Sequence, residues 1–115
     1  STPLQSLVLM NDPVFVEAAR AMAQRILSHA DLNDTQRLEL AWRLALARQP
    51  RSQELSVLSN TLKKQQATYK ADPSAAEALT GVGDLEAPSS VDRSELAAWT
   101  TLCNVLLNLN ETISN

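Results

Sequence analysis

The sequence predicts an all-α domain, a compact orthogonal or mixed bundle of five to six helices, on three observations. Only two of the 115 residues are glycine and five are proline, so few positions interrupt a helix. Capping residues recur ahead of apolar stretches. Within those stretches, apolar residues return with the spacing of one helix face. Because this length is that of one domain, we expect residues 1–115 to share a single core.

A capping box opens the first predicted helix. Thr2 takes the N-cap position, Pro3 takes the first helical position, and Gln5 reaches back to the N-cap backbone. We expect this helix to end near Met10. These are local backbone signals, so they place a helix start without reference to the rest of the chain.

The second predicted helix follows directly. Asn11 ends the first helix, Asp12 supplies the next N-cap, and Pro13 occupies the first helical position, where its missing N–H costs nothing. The helix is expected to run to about His29. Its apolar stripe consists of Phe15, Ala19, Met22 and Ile26. Arg20 lies off this stripe.

A helix hairpin is predicted for the middle of the chain. Asn33 is expected to cap the third helix, with Gln36 three residues later, and the helix is expected to end near Ala47. Its apolar face is broad, so we expect this helix to be the central one. Four residues around Pro50 stop and restart the chain, and Ser52 is expected to cap the fourth helix. So short a connection favours an antiparallel arrangement.

Two further features precede the last helix. Asp72 and Pro73 repeat the arrangement of an N-cap followed by proline and open a short helix through about Leu79. Residues 81–91 hold both glycines, a proline and two serines without any periodicity. That segment is therefore the predicted loop.

The last predicted helix begins with a capping box of Asp92 and Glu95 and runs to about Ile113. Trp99 begins its apolar stripe, which continues with Leu102, Leu106 and Leu109. Polar residues recur on the opposite face at helical spacing: Asn104, Asn108, Glu111 and Asn115. This face is either solvated or a contact face for another part of the protein, where amides bond exposed backbone. The candidate interaction face is therefore Asn104, Asn108 and Glu111.

Composition argues against several kinds of site. One cysteine and one histidine exclude an internal disulfide and a His/Cys metal cage. We interpret His29 as a helix-end histidine and Cys103 as a packed, inert thiol. The sequence holds no Cys-x-x-Cys-His haem attachment, no glycine-rich phosphate loop and no apolar run long enough to span a membrane. No catalytic, cofactor-binding or metal-binding residue is predicted.

Charge is unevenly distributed along the chain. The net charge is −3, yet residues 37–70 carry seven basic and two acidic side chains, while residues 71–115 carry seven acidic and one basic. A solvated surface is the simpler interpretation, and a surface that guides a partner is the alternative. An acidic chain without aromatic residues interleaved among its basic ones lacks the signature of a nucleic-acid-binding protein.

Three stretches, at residues 2–20, 43–55 and 99–111, resemble a planctomycete-type domain of unknown function that forms the C-terminal part of large proteins. The residues that carry the resemblance are Pro3, Gln5, Asn11, Asp12 and Pro13, then Arg43, Arg48, Pro50 and Glu54, and finally Trp99, Asn108 and Glu111. Two positions depart from the pattern. Ala47 stands where such sequences often have glycine, and Thr112 stands where an aromatic residue is common.

The resemblance implies that this chain is the C-terminal fragment of a larger, exported protein of the periplasm or cell envelope. Such proteins often carry a cytochrome-c-like domain upstream, so haem would belong to that domain and no cofactor to this fragment. A chain that begins at Ser1 without a methionine agrees with this expectation. The expected partners are upstream domains of the same chain, with a separate protein as a further candidate.

The leading interpretation is a non-catalytic structural and interaction module. In it, the motif residues before residue 14 fix where helices stop and start, and Arg43, Arg48 and Glu54 form a charged clasp around the hairpin. We expect no enzymatic activity from this fragment alone. Two alternatives stay open. The domain completes an active site for carbohydrate or redox chemistry with upstream domains, or it recruits a separate protein through residues 37–70.

Overall fold

The computed structural model describes residues 12–81 and 92–114, with side chains through residue 110. These residues form five helices, and none of them lies in a strand. In chain order the helices are α1 (Pro13–Leu27), α2 (Asp34–Leu46), α3 (Ser52–Ala71), α4 (Pro73–Thr80) and α5 (Arg93–Ser114). The predicted all-α class is confirmed. The predicted first helix, with Pro3, Gln5 and Asn11, lies outside the described residues, as do residues 82–91 of the predicted loop.

Helix α5 lies at the centre of the fold. Every residue from 96 to 106 is buried, so α5 is enclosed on all of its faces. It contacts each of the other four helices. Small residues such as Ala97, Ala98 and Cys103 are buried together with the large Trp99 and Leu102, and small side chains permit neighbouring helices to approach closely. A helix that is buried all round needs this kind of composition.

The expectation that α2 is the central helix is wrong. Helix α2 buries Leu38 and Trp42 in the core, whereas Leu44 is 38% exposed. The broad apolar face read from the sequence therefore includes a leucine that faces outward. Because an exposed leucine is common on protein surfaces, the breadth of an apolar face is a weak indicator of which helix is central.

Three predicted helix starts are confirmed at the level of individual hydrogen bonds. Asp12 Oδ1 accepts from the Val14 amide at 2.9 Å, and Pro13 is the first residue of α1. Asn33 and Gln36 form the reciprocal capping box, with bonds of 2.8 and 3.0 Å. The carboxylate of Asp72 accepts from the Ala75 amide at 3.1 Å. Each bond satisfies a backbone donor that the helix leaves without a partner.

Two other helix starts differ from the expectation. Ser52 is the first residue of α3 rather than its cap, and Glu54 closes the turn by accepting from the Arg51 amide at 2.8 Å. Asp92 caps α5 by accepting from the Ser94 amide at 3.0 Å. The Glu95 carboxylate, which was expected to complete that box, accepts hydrogen bonds from Gln66 of α3.

Helix α2 ends at Ala47, whose backbone is left-handed, with φ 59° and ψ 29°. No other non-glycine residue that the structure describes has a positive φ. The Ala47 amide donates to the carbonyl of Arg43 at 2.9 Å, which closes the last turn. Glycine is the usual residue in this conformation because it has no Cβ to clash. Glycine is common at this position in the sequences that the chain resembles. Ala47 is therefore an alanine in a backbone conformation that favours glycine.

Candidate functional site

The polar face of α5 is not a continuous outer surface. Asn104 is only 4% exposed, and Asn108 is half-buried. Both asparagines have polar or electrostatic interactions within the chain, and the side chain of Glu111 lies outside the described part. The reason is the central position of α5, which packs helices against its polar face as well as its apolar one. Contact between these residues and another domain stays a prediction.

A charged cluster at the α2–α3 turn brings Arg48 and Glu54 together. Arg48 donates from Nη1 to Oε1 at 2.9 Å and from Nη2 to Oε2 at 2.8 Å, the two-bond geometry of a guanidinium facing a carboxylate. The guanidinium carbon also lies 5.0 Å from the centre of the Trp42 ring. Because Trp42 is in the core, this cluster fixes the turn against the body of the domain.

The ionisation of Glu54 follows from these contacts. The hydrogen bonds from Arg48 lower the pKa of Glu54 to about 2, and the Arg51 amide acts in the same direction against the effect of partial burial. The carboxylate therefore stays charged at any ordinary pH. Arg43 is exposed and makes no hydrogen bond or ion pair with either member of the cluster, although both lie in the described part of the chain. It lines a shallow cleft of about 250 Å³ with Glu39 and Gln49.

Five of the seven basic residues between 37 and 70 form two groups. Arg37 and Arg48 are engaged inside the fold, Arg37 with the carbonyl of His29 at 3.0 Å and with Asp34 at 3.9 Å. The three lysines of the chain are instead all on α3, and all three are exposed: Lys63, Lys64 and Lys70. We call them the lysine face. Helix α3 has no acidic residue after Glu54, so no carboxylate of its own helix adjoins these ammonium groups.

A groove of about 440 Å³ runs beside the lysine face, between α2 and α3. Lys63 stands at its edge, and Leu38 and Leu55 contribute its apolar part. The other lining residues carry hydroxyl or amide groups: Thr35, Ser52, Ser56, Ser59 and Asn60. The groove therefore offers hydrogen-bonding groups, one cation and a small apolar area, which suits contact with a polar protein surface.

Helices α3 and α5 are joined by polar bonds that the sequence did not reveal. Gln66 donates to both carboxylate oxygens of Glu95, at 3.0 and 3.2 Å, and lies 3.4 Å from Asp34. The Tyr69 hydroxyl and the Thr101 hydroxyl lie 3.1 Å apart. These bonds connect residues about 30 positions apart, so no local spacing rule finds them.

Arg20 is a second feature that sequence reasoning missed. It is completely buried between α1, α4 and α5 and donates from Nη1 to the carbonyl of Thr80. Burial lowers the pKa of Arg20, with Glu17 opposing the change and Arg93 adding to it. One signal was present in the sequence. Arg20 shares a helix face with Val16 and Ala23, four residues before it and three after it, and both are buried.

The cysteine and the histidine of the chain, the two residues whose side chains are most often reactive, lie apart from these features. Cys103 is fully buried, and burial raises the pKa of its thiol. His29 is exposed just beyond α1. Among the described residues, no group of three His, Cys, Asp or Glu side chains is arranged to hold a metal ion. Within those same residues, no helix has the length and hydropathy required to cross a bilayer.

Comparison with protein families identifies the chain. The family model of PSD1, described as a protein of unknown function (DUF1553), matches residues 1–62, more than half of the sequence. The chain belongs to this family. The resemblance inferred from the sequence is thereby confirmed at family level, and the matched segment holds α1, α2, the Ala47 turn and the first half of α3. The planctomycete-type source and the upstream cytochrome-c-like domain stay predictions. Comparison with curated proteins and with solved structures finds no match.

Proposed function

We propose that this PSD1-family domain is a non-catalytic helical module that packs against the rest of a larger protein. One observation carries the proposal: four carboxylates on different helices or helix ends are used to build the fold. Asp12 and Asp72 cap helices, Glu54 is held by Arg48, and Glu95 accepts two bonds from Gln66. Groups committed in this way set helix ends and helix spacing, which is what a structural module requires.

The surface that meets the rest of the protein is, in this proposal, the lysine face together with the adjoining groove. Positive side chains on one helix attract an acidic surface, and charge complementarity sets orientation and association rate more than affinity. The hydroxyl and amide groups of the groove supply the hydrogen bonds that fix the register. The proposed counterpart is an acidic surface of an upstream domain in an exported protein. Haem, where such a protein contains it, belongs to the upstream domain.

A catalytic contribution from this domain is not favoured. The family is described as one of unknown function and brings no activity to these residues. Asn104, on the polar face of α5, is enclosed within the chain. The structural role is therefore the conclusion that the contacts support best.

Carbodiimide coupling in the full-length protein tests the proposed surface. This reagent joins a lysine to a carboxylate only when the two are in direct contact, and the lysine face contains every lysine of this domain. We expect products that join Lys63 or Lys64 to acidic residues outside the 115-residue domain, with yields that fall at high salt because screening weakens exposed ion pairs.

A charge-reversed variant, Lys63→Glu with Lys64→Glu, should abolish those products and weaken docking. Arg25→Glu is the matched control, because Arg25 is an exposed cation on a different helix. Products confined to the 115-residue domain, or equal loss of docking in the control, would contradict the proposed surface.

A further inference from the structure

The buried Arg20 guanidinium uses only part of its hydrogen-bonding capacity. Its Nη1 donates to the carbonyl of Thr80, the last residue of α4, where helix carbonyls lack partners and the helix dipole is negative. The remaining nitrogens, Nε and Nη2, are buried and have no hydrogen-bond partner among the residues that the structure describes. These two atoms lie on the same edge of the guanidinium plane. That edge is the fork that pairs with two oxygens of one carboxylate or phosphate.

A second cation faces the same point. Arg93, at the start of α5, donates from Nη1 to the Thr80 hydroxyl at 2.9 Å, and that hydroxyl in turn donates to the carbonyl of Ala76 at 2.9 Å. Two guanidinium groups therefore converge on Thr80 from different helices. Burial is the main influence on the pKa of Arg20 and lowers it, the nearby Glu17 carboxylate raises it, and repulsion from Arg93 lowers it by a smaller amount.

An anion would relieve the unfavourable feature of this cluster, which is the pair of buried Arg20 nitrogens without an acceptor. Burying a donor without an acceptor is destabilising, and the effect is larger when the donor belongs to a charged group. An oxyanion at the free edge of Arg20 would accept both unused N–H groups and neutralise one positive charge.

We propose that the Nε–Nη2 edge of Arg20 binds a small oxyanion, a carboxylate or an inorganic phosphate or sulfate ion, with Arg93 supplying a second positive charge. Thr80 positions both arginines. The site joins α1, α4 and α5, so its occupancy stabilises the contact of two outer helices with the central one. Because Arg20 is enclosed, the occupant is a single small group rather than an extended ligand. This site is independent of the lysine face, and its test does not depend on that surface.

The test is an anion titration of the chain, followed by thermal unfolding and by the Arg20 Nε–H resonance in proton–nitrogen spectra. Sodium phosphate and sodium acetate are added separately, with sodium chloride to hold the ionic strength constant. We expect a saturable rise of the unfolding midpoint and a saturable shift of the resonance. A response to acetate assigns the site to carboxylates, and a response to phosphate assigns it to tetrahedral oxyanions.

Three variants make the assignment specific. Arg93→Gln should weaken the apparent anion affinity roughly tenfold, the loss expected for one charge-assisted interaction. Arg20→Lys keeps the charge but lacks the fork, so it should abolish the response. Arg25→Gln removes an exposed arginine of the same helix and should leave the response unchanged. If Arg20→Lys fails to fold, the resonance titration and Arg93→Gln still decide the question. Responses no larger than those to chloride, or equal weakening in Arg25→Gln, would overturn the proposal.

Discussion

Replacing Ala47 with glycine should stabilise the domain. Ala47 is held at φ 59° and ψ 29°, where its Cβ crowds the following carbonyl. That conformation costs an alanine roughly 1–2 kcal/mol and costs a glycine almost nothing. Glycine also makes the unfolded chain more flexible, which offsets about 0.4–1 kcal/mol of that stabilisation. The net stabilisation expected for Ala47→Gly is about 0.5–1 kcal/mol.

Thermal and urea unfolding, followed by circular dichroism, measure this effect. A chain of this length unfolds with an entropy of about 0.24 kcal/mol/K, so the midpoint should rise by roughly 2–4 °C. Ala30→Gly is the matched control. Ala30 is exposed in the α1–α2 connection and does not have a positive φ, so the same substitution should lower the midpoint there. If Ala47→Gly and Ala30→Gly changed stability by the same amount, the left-handed backbone at Ala47 would not be the source of strain.

Three further outcomes are expected. Asp12→Ala removes the N-cap bond to Val14 and should lower the free energy of unfolding by about 1 kcal/mol, as measured by urea titration. An unchanged unfolding midpoint would rule out that role for Asp12. The contribution of ionised Glu54 to the free energy of unfolding should be fully present above about pH 4.5 and lost as the pH falls toward 2. The reason is that the pKa of Glu54 in the folded state, about 2, lies below its value in the unfolded state. The stability difference between the wild type and Glu54→Gln should therefore narrow across that range, and a constant difference would contradict the ionic role. Cys103 should react with a thiol reagent only as fast as the chain unfolds, since burial keeps the thiol protonated; rapid labelling of the native protein would show that it is accessible.

Local features of this fold were predictable from the sequence. The caps at Asp12, Asn33 and Asp72 depend on contacts within three residues, so spacing alone places them correctly. In these cases the physical cause lies within one helical turn, although the start of α3 at Ser52 shows that such a pattern can misplace a cap by one residue. The departure from glycine at Ala47 was noted through the family resemblance, and its left-handed backbone became apparent only in the structure.

Features that depend on packing were not predictable in the same way. The central position of α5 results from four helices surrounding it, and its Thr100, Thr101 and Asn104 read as polar in the sequence although all are buried. Short polar side chains can bond within or beside their own helix, so they tolerate burial without a sequence signal. Arg20 was not expected in the core, for a related reason. A charged residue is assigned to the surface by default, and only the approach of α4 supplies the carbonyl that receives it.

The segment that matches the family and the unit that folds are different in extent. The match ends at residue 62, but the buried side chains of that segment, including Ile26, Trp42 and Leu58, belong to the same core cluster as α5. An amphipathic helix gains little stability until its apolar face is covered. The surface that covers these residues is provided largely by Trp99 and its neighbours, which lie beyond the match. The matched motifs therefore describe one side of a core whose other side is α5, and the contribution of any motif residue to stability has meaning only in a chain that contains both.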